Sequence, residues 1–390
     1  MSEKSKKISS TLKIASVLLL IFTVGGIGGV YFDQQVLPII RTNKFLSRIG
    51  FLARTAENVT VINKTEQITI KEDDSINEVA SQASNAVANI VSVSKSKDSI
   101  SKSIKTTDQS GTGVVVTNDG VLVTYRSAII EKDATYNVFL FNGNNYEAKL
   151  IGIDEFTNLA FLKIDASNLT AISFGDSSEV RPGKKIVAIG NSFGEYQNRY
   201  AAGLLSNINK TFNLAGKTVA SSEKLEGVFE NDFNNNQKEY IGGPVIGYSG
   251  NMLGIIGMIV IDSKEKYFQI PSNAVQASLD RILSSGLSSR AYLGAYYVSI
   301  TKEYAIANKL KHDRGALIYS PSGKQGLALI AGSPAEISGL RMGDIITTVG
   351  GRSVNLDNSL SHLVGQYKKG DSTEIILDRS GEEIKIQVTF

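Results

Sequence analysis

A chain of 390 residues, 42% hydrophobic and 20% charged, exceeds what one small core requires and predicts two globular domains with connecting segments. A formal net charge of +3, without a long Lys/Arg block interleaved with aromatics, argues against nucleic-acid binding. The chain has no cysteine and only two histidines, His312 and His362. That excludes disulfides, thiolate nucleophiles and Cys-based zinc sites, and leaves the redox compartment unread.

Ile14 to Phe32 is an uncharged apolar run that as a helix would extend roughly 28 Å, at about 1.5 Å per residue. It predicts a transmembrane helix at 14–32 behind a cytoplasmic tail at 1–13. Lys4, Lys6, Lys7 and Lys13 form a basic leader, so a cleaved signal peptide is the main rival; a buried helix is the other. No A-x-A-like cleavage site follows. Arg41, Lys44 and Arg48 flank the run on its other side, which leaves the N-terminus-inside orientation only moderately favoured by charge. Residues 33–74 read as a stalk, with Asn58 and Asn63 in the glycosylation pattern.

From Ser75 the texture becomes short apolar stretches separated by Gly, Asn and Asp, as in an antiparallel β domain. Examples are Ala88 to Val93, Gly113 to Val116, Val121 to Thr124 and Lys185 to Ile189. Asn118-Asp119-Gly120 predicts a hairpin turn.

Four collinear stretches then resemble one family. Gly111 to Thr124, Phe174 to Gly194, Ala202 to Ser206 and Phe268 to Val275 are similar to the HtrA (DegP/DegS-like) family, trypsin-fold serine proteases with C-terminal PDZ domains. The resemblance implies a mostly β chain, with two six-stranded antiparallel barrels (trypsin-like) over 75–285 and a PDZ domain over 290–390. It also implies acyl transfer by a Ser–His–Asp triad. The matching positions here are Ser127 for the base, Asn158 for the acid and Ile241 for the nucleophile, the last in Glu239-Tyr240-Ile241-Gly242-Gly243-Pro244.

An alcohol at 127 is no base near neutral pH, and a branched hydrocarbon at 241 has no lone pair. Asn158 keeps hydrogen-bonding capacity without charge. The expectation is therefore a degenerate triad with no functional catalytic residue, a pseudoprotease and no enzyme. The alternative is an active HtrA-type endopeptidase with a rearranged site. No His lies between 75 and 285, so a surrogate base there is a Lys or a carboxylate, and Ser221-Ser222-Glu223-Lys224 holds Ser near Lys. Glu239 replaces a glycine at the family's oxyanion turn. Gly242 and Gly243 read as close-packing residues, and Tyr240 with Ile241 as a plug of the old nucleophile position or a binding surface.

Gly332 to Ile346, with Val349 to Val354, resembles the centre of a PDZ domain. Tyr292, Leu293, Gly294 and Ala295 resemble its carboxylate-binding loop, which implies that their backbone N–H groups receive a peptide C-terminus while the ligand adds as a strand. His362 is expected on the helix flanking that groove, more as a helix residue than as a ligand contact, and His312 in a solvated loop. The partners implied are peptide C-termini or unfolded polypeptides, and the membrane through the N-terminal helix. The resemblance further implies a homo-trimer, or an assembly with an active relative. The work implied is a scaffolding, chaperone-like or regulatory part in envelope quality control. No cofactor and no metal is implied.

Overall fold

Alternation of apolar and polar residues closes the chain on itself twice before a third, open sheet forms. The computed structural model describes residues 3–36, 77–97, 104–191, 197–216, 219–233, 236–284, 289–323 and 327–390. The chain divides into two units, Met1–Ser75 and Ile76–Phe390.

The first unit contains α1 (Glu3–Tyr31). Among the described residues no helix is long and apolar enough to cross a membrane, so the expected span at 14–32 is not shown. The helix takes in the basic leader as well as the apolar run, and its described side chains, from Ser16 on, include exposed Val17, Leu20 and Phe22. Most of the expected stalk, with Asn58 and Asn63, lies outside the described residues.

The second unit opens with α2 (77–84). Then β1 (Val87–Lys97), β2 (Ile104–Val115), β3 (Val121–Tyr125), β4 (Ala134–Leu140), β5 (Asn145–Asp154) and β6 (Leu159–Ile164) close a six-stranded barrel in the order β1-β2-β3-β6-β5-β4. The β2–β3 hairpin turns at the expected Asn118-Asp119-Gly120. Val116 N–H donates to Val121 O at 2.9 Å, and Gly120 has φ +100°, a conformation that costs glycine little.

The next strands are β7 (Lys185–Gly190), β8 (Arg199–Asn213), β9 (Ala220–Ser221), β10 (Glu226–Asn231), β11 (Pro244–Gly247), β12 (Met252–Ile261) and β13 (Lys264–Pro271). All but β9 close a second six-stranded barrel, ordered β10-β13-β12-β11-β7-β8. One apolar cluster is continuous between the barrels, from Leu122 and Phe161 to Ile189, Ile255 and Phe268. Tyr125 meets Phe268 edge-on at 5.8 Å across that seam, a geometry that ring quadrupoles favour. Helix α3 (Ser272–Leu283) packs against β5, β6, β12 and β13.

The third region holds β14 (Tyr296–Ser299), α4 (Lys302–Ala307), β15 (Ala316–Ile318), α5 (Pro334–Ile337), β16 (Ile345–Val349), β17 (Arg352–Ser353), α6 (Leu360–Val364), β18 (Ser372–Arg379) and β19 (Glu382–Thr389). Helix α5 starts where the Ser333-Pro334 pair predicts, with Ser333 Oγ accepting from Glu336 N–H. The sheet order is β19-β18-β16-β15-β14-β9. Its last strand is therefore borrowed from the loop between β8 and β10 of the second barrel, and Ala220 joins the core of Leu293, Tyr297, Ile346 and Leu363.

Candidate functional site in the inter-barrel seam and the PDZ loop

Strand β3 delivers Tyr125 to the seam, and a 3₁₀ turn over Arg126–Ala128 carries Ser127 immediately after it. Arg126 N–H donates to Asn158 O at 2.9 Å, and Asn158 Nδ2 donates to the Tyr125 hydroxyl at 3.3 Å. Asn158 sits at φ +57°, a region asparagine enters more readily than most residues. Burial pushes the Tyr125 phenol up to about 12, so it stays neutral.

Opposite them the 3₁₀ turn Gln237–Tyr240 leads to Ile241. Ile241 O accepts from Thr112 N–H at 3.3 Å, and a Cβ on Gly242 would lie 2.2 Å from both Thr112 O and Thr124 Oγ1. The three triad positions thus gather around the C-terminal end of β3. The two glycines hold backbones in close approach, as their sequence context implied; at Gly243 a Cβ would meet Ile189 O at 2.1 Å. Tyr240 and Ile241 are both buried.

The chemistry of these side chains is not that of a Ser–His–Asp relay. The Ser127 hydroxyl is buried without a hydrogen-bond partner. Asn158 Oδ1 accepts instead from Lys224 Nζ at 3.0 Å, and Lys224 also reaches Glu155. Glu239 N–H donates to Asn236 O at 3.1 Å and Ile241 N–H to Lys238 O at 3.5 Å, so both N–H groups at the positions that match the family's oxyanion turn are engaged within this turn. Glu239 itself pairs with Arg199 at 3.0 Å. Ser222 and Lys224 do not form a dyad: Ser222 Oγ is bonded to the Glu223 carboxylate and to Ala295 O.

The same short segment reaches the second expected site. Ala220 and Ser221 pair antiparallel with Tyr297 and Tyr296. Ser222 N–H donates to Ala295 O at 3.0 Å. In the loop Tyr292–Ala295, the N–H groups of Leu293 and Gly294 converge on Glu223 Oε1 at 3.1 and 3.0 Å, while Ala295 N–H donates to Ser222 Oγ at 3.0 Å. Gly294 has φ +78°, and a Cβ there would lie 2.3 Å from Ser333 Cβ. Neither Glu223 nor Lys224 carries a sequence signal for these contacts, whose partners lie far away along the chain.

Both histidines lie in the third region, His362 lining a cavity shared with Phe156 and Thr157. His362 lies on α6 and its ring contacts Gln366 at 3.1 Å; burial is the main cause holding its imidazole below the ordinary range, with the nearby Arg352 charge second. His312 is not simply solvated: its Nε2 lies 2.9 Å from Asp378 Oδ2.

Two closed barrels followed by a helix-capped open sheet define a trypsin-like peptidase domain joined to a PDZ domain. Residues 111–255 match the Trypsin-like peptidase domain family and residues 305–390 the PDZ domain family. The chain is 32% identical over 283 residues to the "Probable periplasmic serine endoprotease DegP-like" of Marinomonas sp. (strain MWYL1), covering 72% of this chain and 56% of that protein. The protein of that name in Chlamydia muridarum (strain MoPn / Nigg) is 32% identical over 282 residues, 72% of this chain and 53% of the relative. The chain therefore spans about half the length of these curated relatives. Among solved structures, the HtrA-type protease AlgW with tripeptide superposes with a TM-score of 0.62 at 25% identity, over 80% of this chain and 95% of that one. AlgW with decapeptide gives 0.61 at 24%, over 80% and 96%. Together these findings support the HtrA family for this chain.

One expectation is corrected by them. The reading of a chain that is no enzyme rested on three substituted side chains, but the relatives are named serine endoproteases and the structural neighbours HtrA-type proteases, so the family is enzymatic. The substitutions remove an imidazole relay and say nothing of turnover by other groups.

Proposed function

We propose that the chain is an HtrA-type serine endopeptidase with a rearranged site. In this reading a PDZ groove built on Tyr292, Leu293, Gly294 and Ala295 captures extended polypeptides by their C-termini. The observation that carries the reading is the convergence of the Leu293 and Gly294 N–H groups on one carboxylate oxygen, since backbone donors aimed at a carboxylate are what C-terminal recognition requires. The module over 75–285 supplies the cleft and the module over 290–390 the capture site.

Without a histidine in the barrels, a basic side chain at the triad positions is Lys224, whose Nζ donates to Asn158 Oδ1 at 3.0 Å, and it is the group whose part in turnover is tested. Turnover of casein and a fluorogenic peptide by the full chain tests this. Loss in Lys224→Ala supports the role of the lysine, unchanged turnover in that variant removes it, and no turnover by the unaltered chain overturns the endopeptidase reading while leaving peptide capture to be scored by binding.

The setting belongs to the same proposal. Residues 1–13 face the cytoplasm, the exposed apolar side chains of α1 attach the chain to a membrane, and the main domains act outside the cytoplasm in envelope protein quality control, as the periplasmic naming of the relatives supports. A homo-trimer, or an assembly with another family member, completes it. Recovery in the soluble fraction after carbonate extraction would remove the anchor, and a native mass showing only monomers would remove the assembly.

A further inference from the structure

Three backbone donors of the PDZ loop, the N–H groups of Leu293, Gly294 and Ala295, are all in use, and every acceptor comes from residues 222 and 223 of the same chain. The geometry points to residues 220–223 as an internal ligand of the PDZ groove, which an incoming peptide C-terminus must displace. This rests on the reading that the groove takes peptide C-termini.

Each element of strand-addition recognition is present in cis. Ala220 and Ser221 supply the added strand through antiparallel register with Tyr297 and Tyr296. Ser222 stands where a terminal residue would, its N–H donating to Ala295 O. Because the chain continues past Ser222, no α-carboxylate is available there; the next side chain, Glu223, folds back and places its carboxylate on the Leu293 and Gly294 donors. Ala220 is buried in the core of this sheet, so the groove already holds a small apolar side chain two residues before the terminal position. The ligand class follows: an extended peptide with a free α-carboxylate and a small apolar residue third from its end. Ordered self-occupancy lowers apparent affinity by the fraction of molecules in which the groove is open.

The probe is a fluorescein-labelled peptide of Asn213 to Ser222 with a free carboxylate, added to the full chain. Glu223→Ala removes the charge-assisted hydrogen bonds that hold the plug, and binding should tighten by about tenfold. Ser221→Cys with Tyr296→Cys joins two facing Cα positions at a separation suited to a disulfide; with no other cysteine in the chain, the oxidised form should lose the peptide and the reduced form regain it. Amide hydrogen exchange at Leu293, Gly294 and Ala295 provides a readout independent of any peptide. Slow exchange in the unaltered chain that accelerates in Glu223→Ala is expected; fast exchange in the unaltered chain overturns the internal ligand. Equal peptide affinity in the unaltered, Glu223→Ala and oxidised chains also overturns it. Protected amides that Glu223→Ala releases, with no form binding the peptide, would keep the plug and remove the peptide-capture reading instead.

Discussion

Gly242 shows how much of the seam is settled by single atoms. Its φ of +82° lies in the left-handed region, and a Cβ there would overlap Thr112 O and Thr124 Oγ1, both at 2.2 Å. Gly242→Ala should therefore destabilise the chain by more than about 2 kcal/mol in urea unfolding, since neither a β-strand carbonyl nor a buried hydroxyl bonded at 2.6 Å to that carbonyl can retreat cheaply. Ser127, three positions beyond Thr124 in the sequence, carries the opposite expectation. Its hydroxyl is buried and unpartnered, so it already lacks the hydrogen bond that would offset its lost hydration. Ser127→Ala should leave stability within about 0.5 kcal/mol of the unaltered chain or raise it slightly. A marked loss would reveal a partner for that hydroxyl.

At the scale of elements, the junction between barrels and PDZ domain hangs on a buried ion pair. Asp154, ending β5, receives Arg290 at 2.9 Å and Ser278 Oγ of α3 at 2.6 Å, while the guanidinium stacks over Phe156 at 4.1 Å. Both partners are largely out of solvent, Asp154 side chain 3% and Arg290 16% exposed. Removing one member leaves the other charge unpaired, so Asp154→Ala should cost about 3 kcal/mol of unfolding free energy, read by denaturant titration of the full chain. Such contacts mark the border of what the residues themselves announce. Asn118-Asp119-Gly120, the paired glycines and Ser333-Pro334 are legible because turn and cap chemistry acts within a few residues. Asp154 with Arg290, or Glu223 with Gly294, join positions far apart in sequence whose residue types are ordinary for a surface loop, and only closure of the barrels brings them together. The triad positions were readable by alignment to a family motif; that Asn158 faces Lys224 was not.

Across the whole molecule, the PDZ sheet is tied to the second barrel by a carboxyl that lost its water. Glu226, on β10, accepts from Tyr297 Oη at 2.5 Å and Ser299 Oγ at 2.6 Å, both on β14. Burial is the dominant cause that moves its pKa from 4.5 to about 7, the two hydroxyls opposing the shift; Tyr297, raised well above its ordinary value by the same burial, remains a donor. An acid whose pKa is raised in the folded state binds its proton more tightly there than when unfolded. Its contribution is therefore complete below about 4.5 and is lost as pH rises from there through about 7, on the order of 3 kcal/mol in all. The two modules should accordingly loosen as pH climbs across neutrality, exposing the β9–β14 contact beside Glu226 and pulling Lys224 from Asn158. Unfolding free energy measured between about pH 5 and about pH 8 should fall in the unaltered chain, while Glu226→Gln, which cannot ionise, should lose that slope. A slope that persists in Glu226→Gln would assign the pH response to another group and leave the docking of the two modules indifferent to this carboxyl.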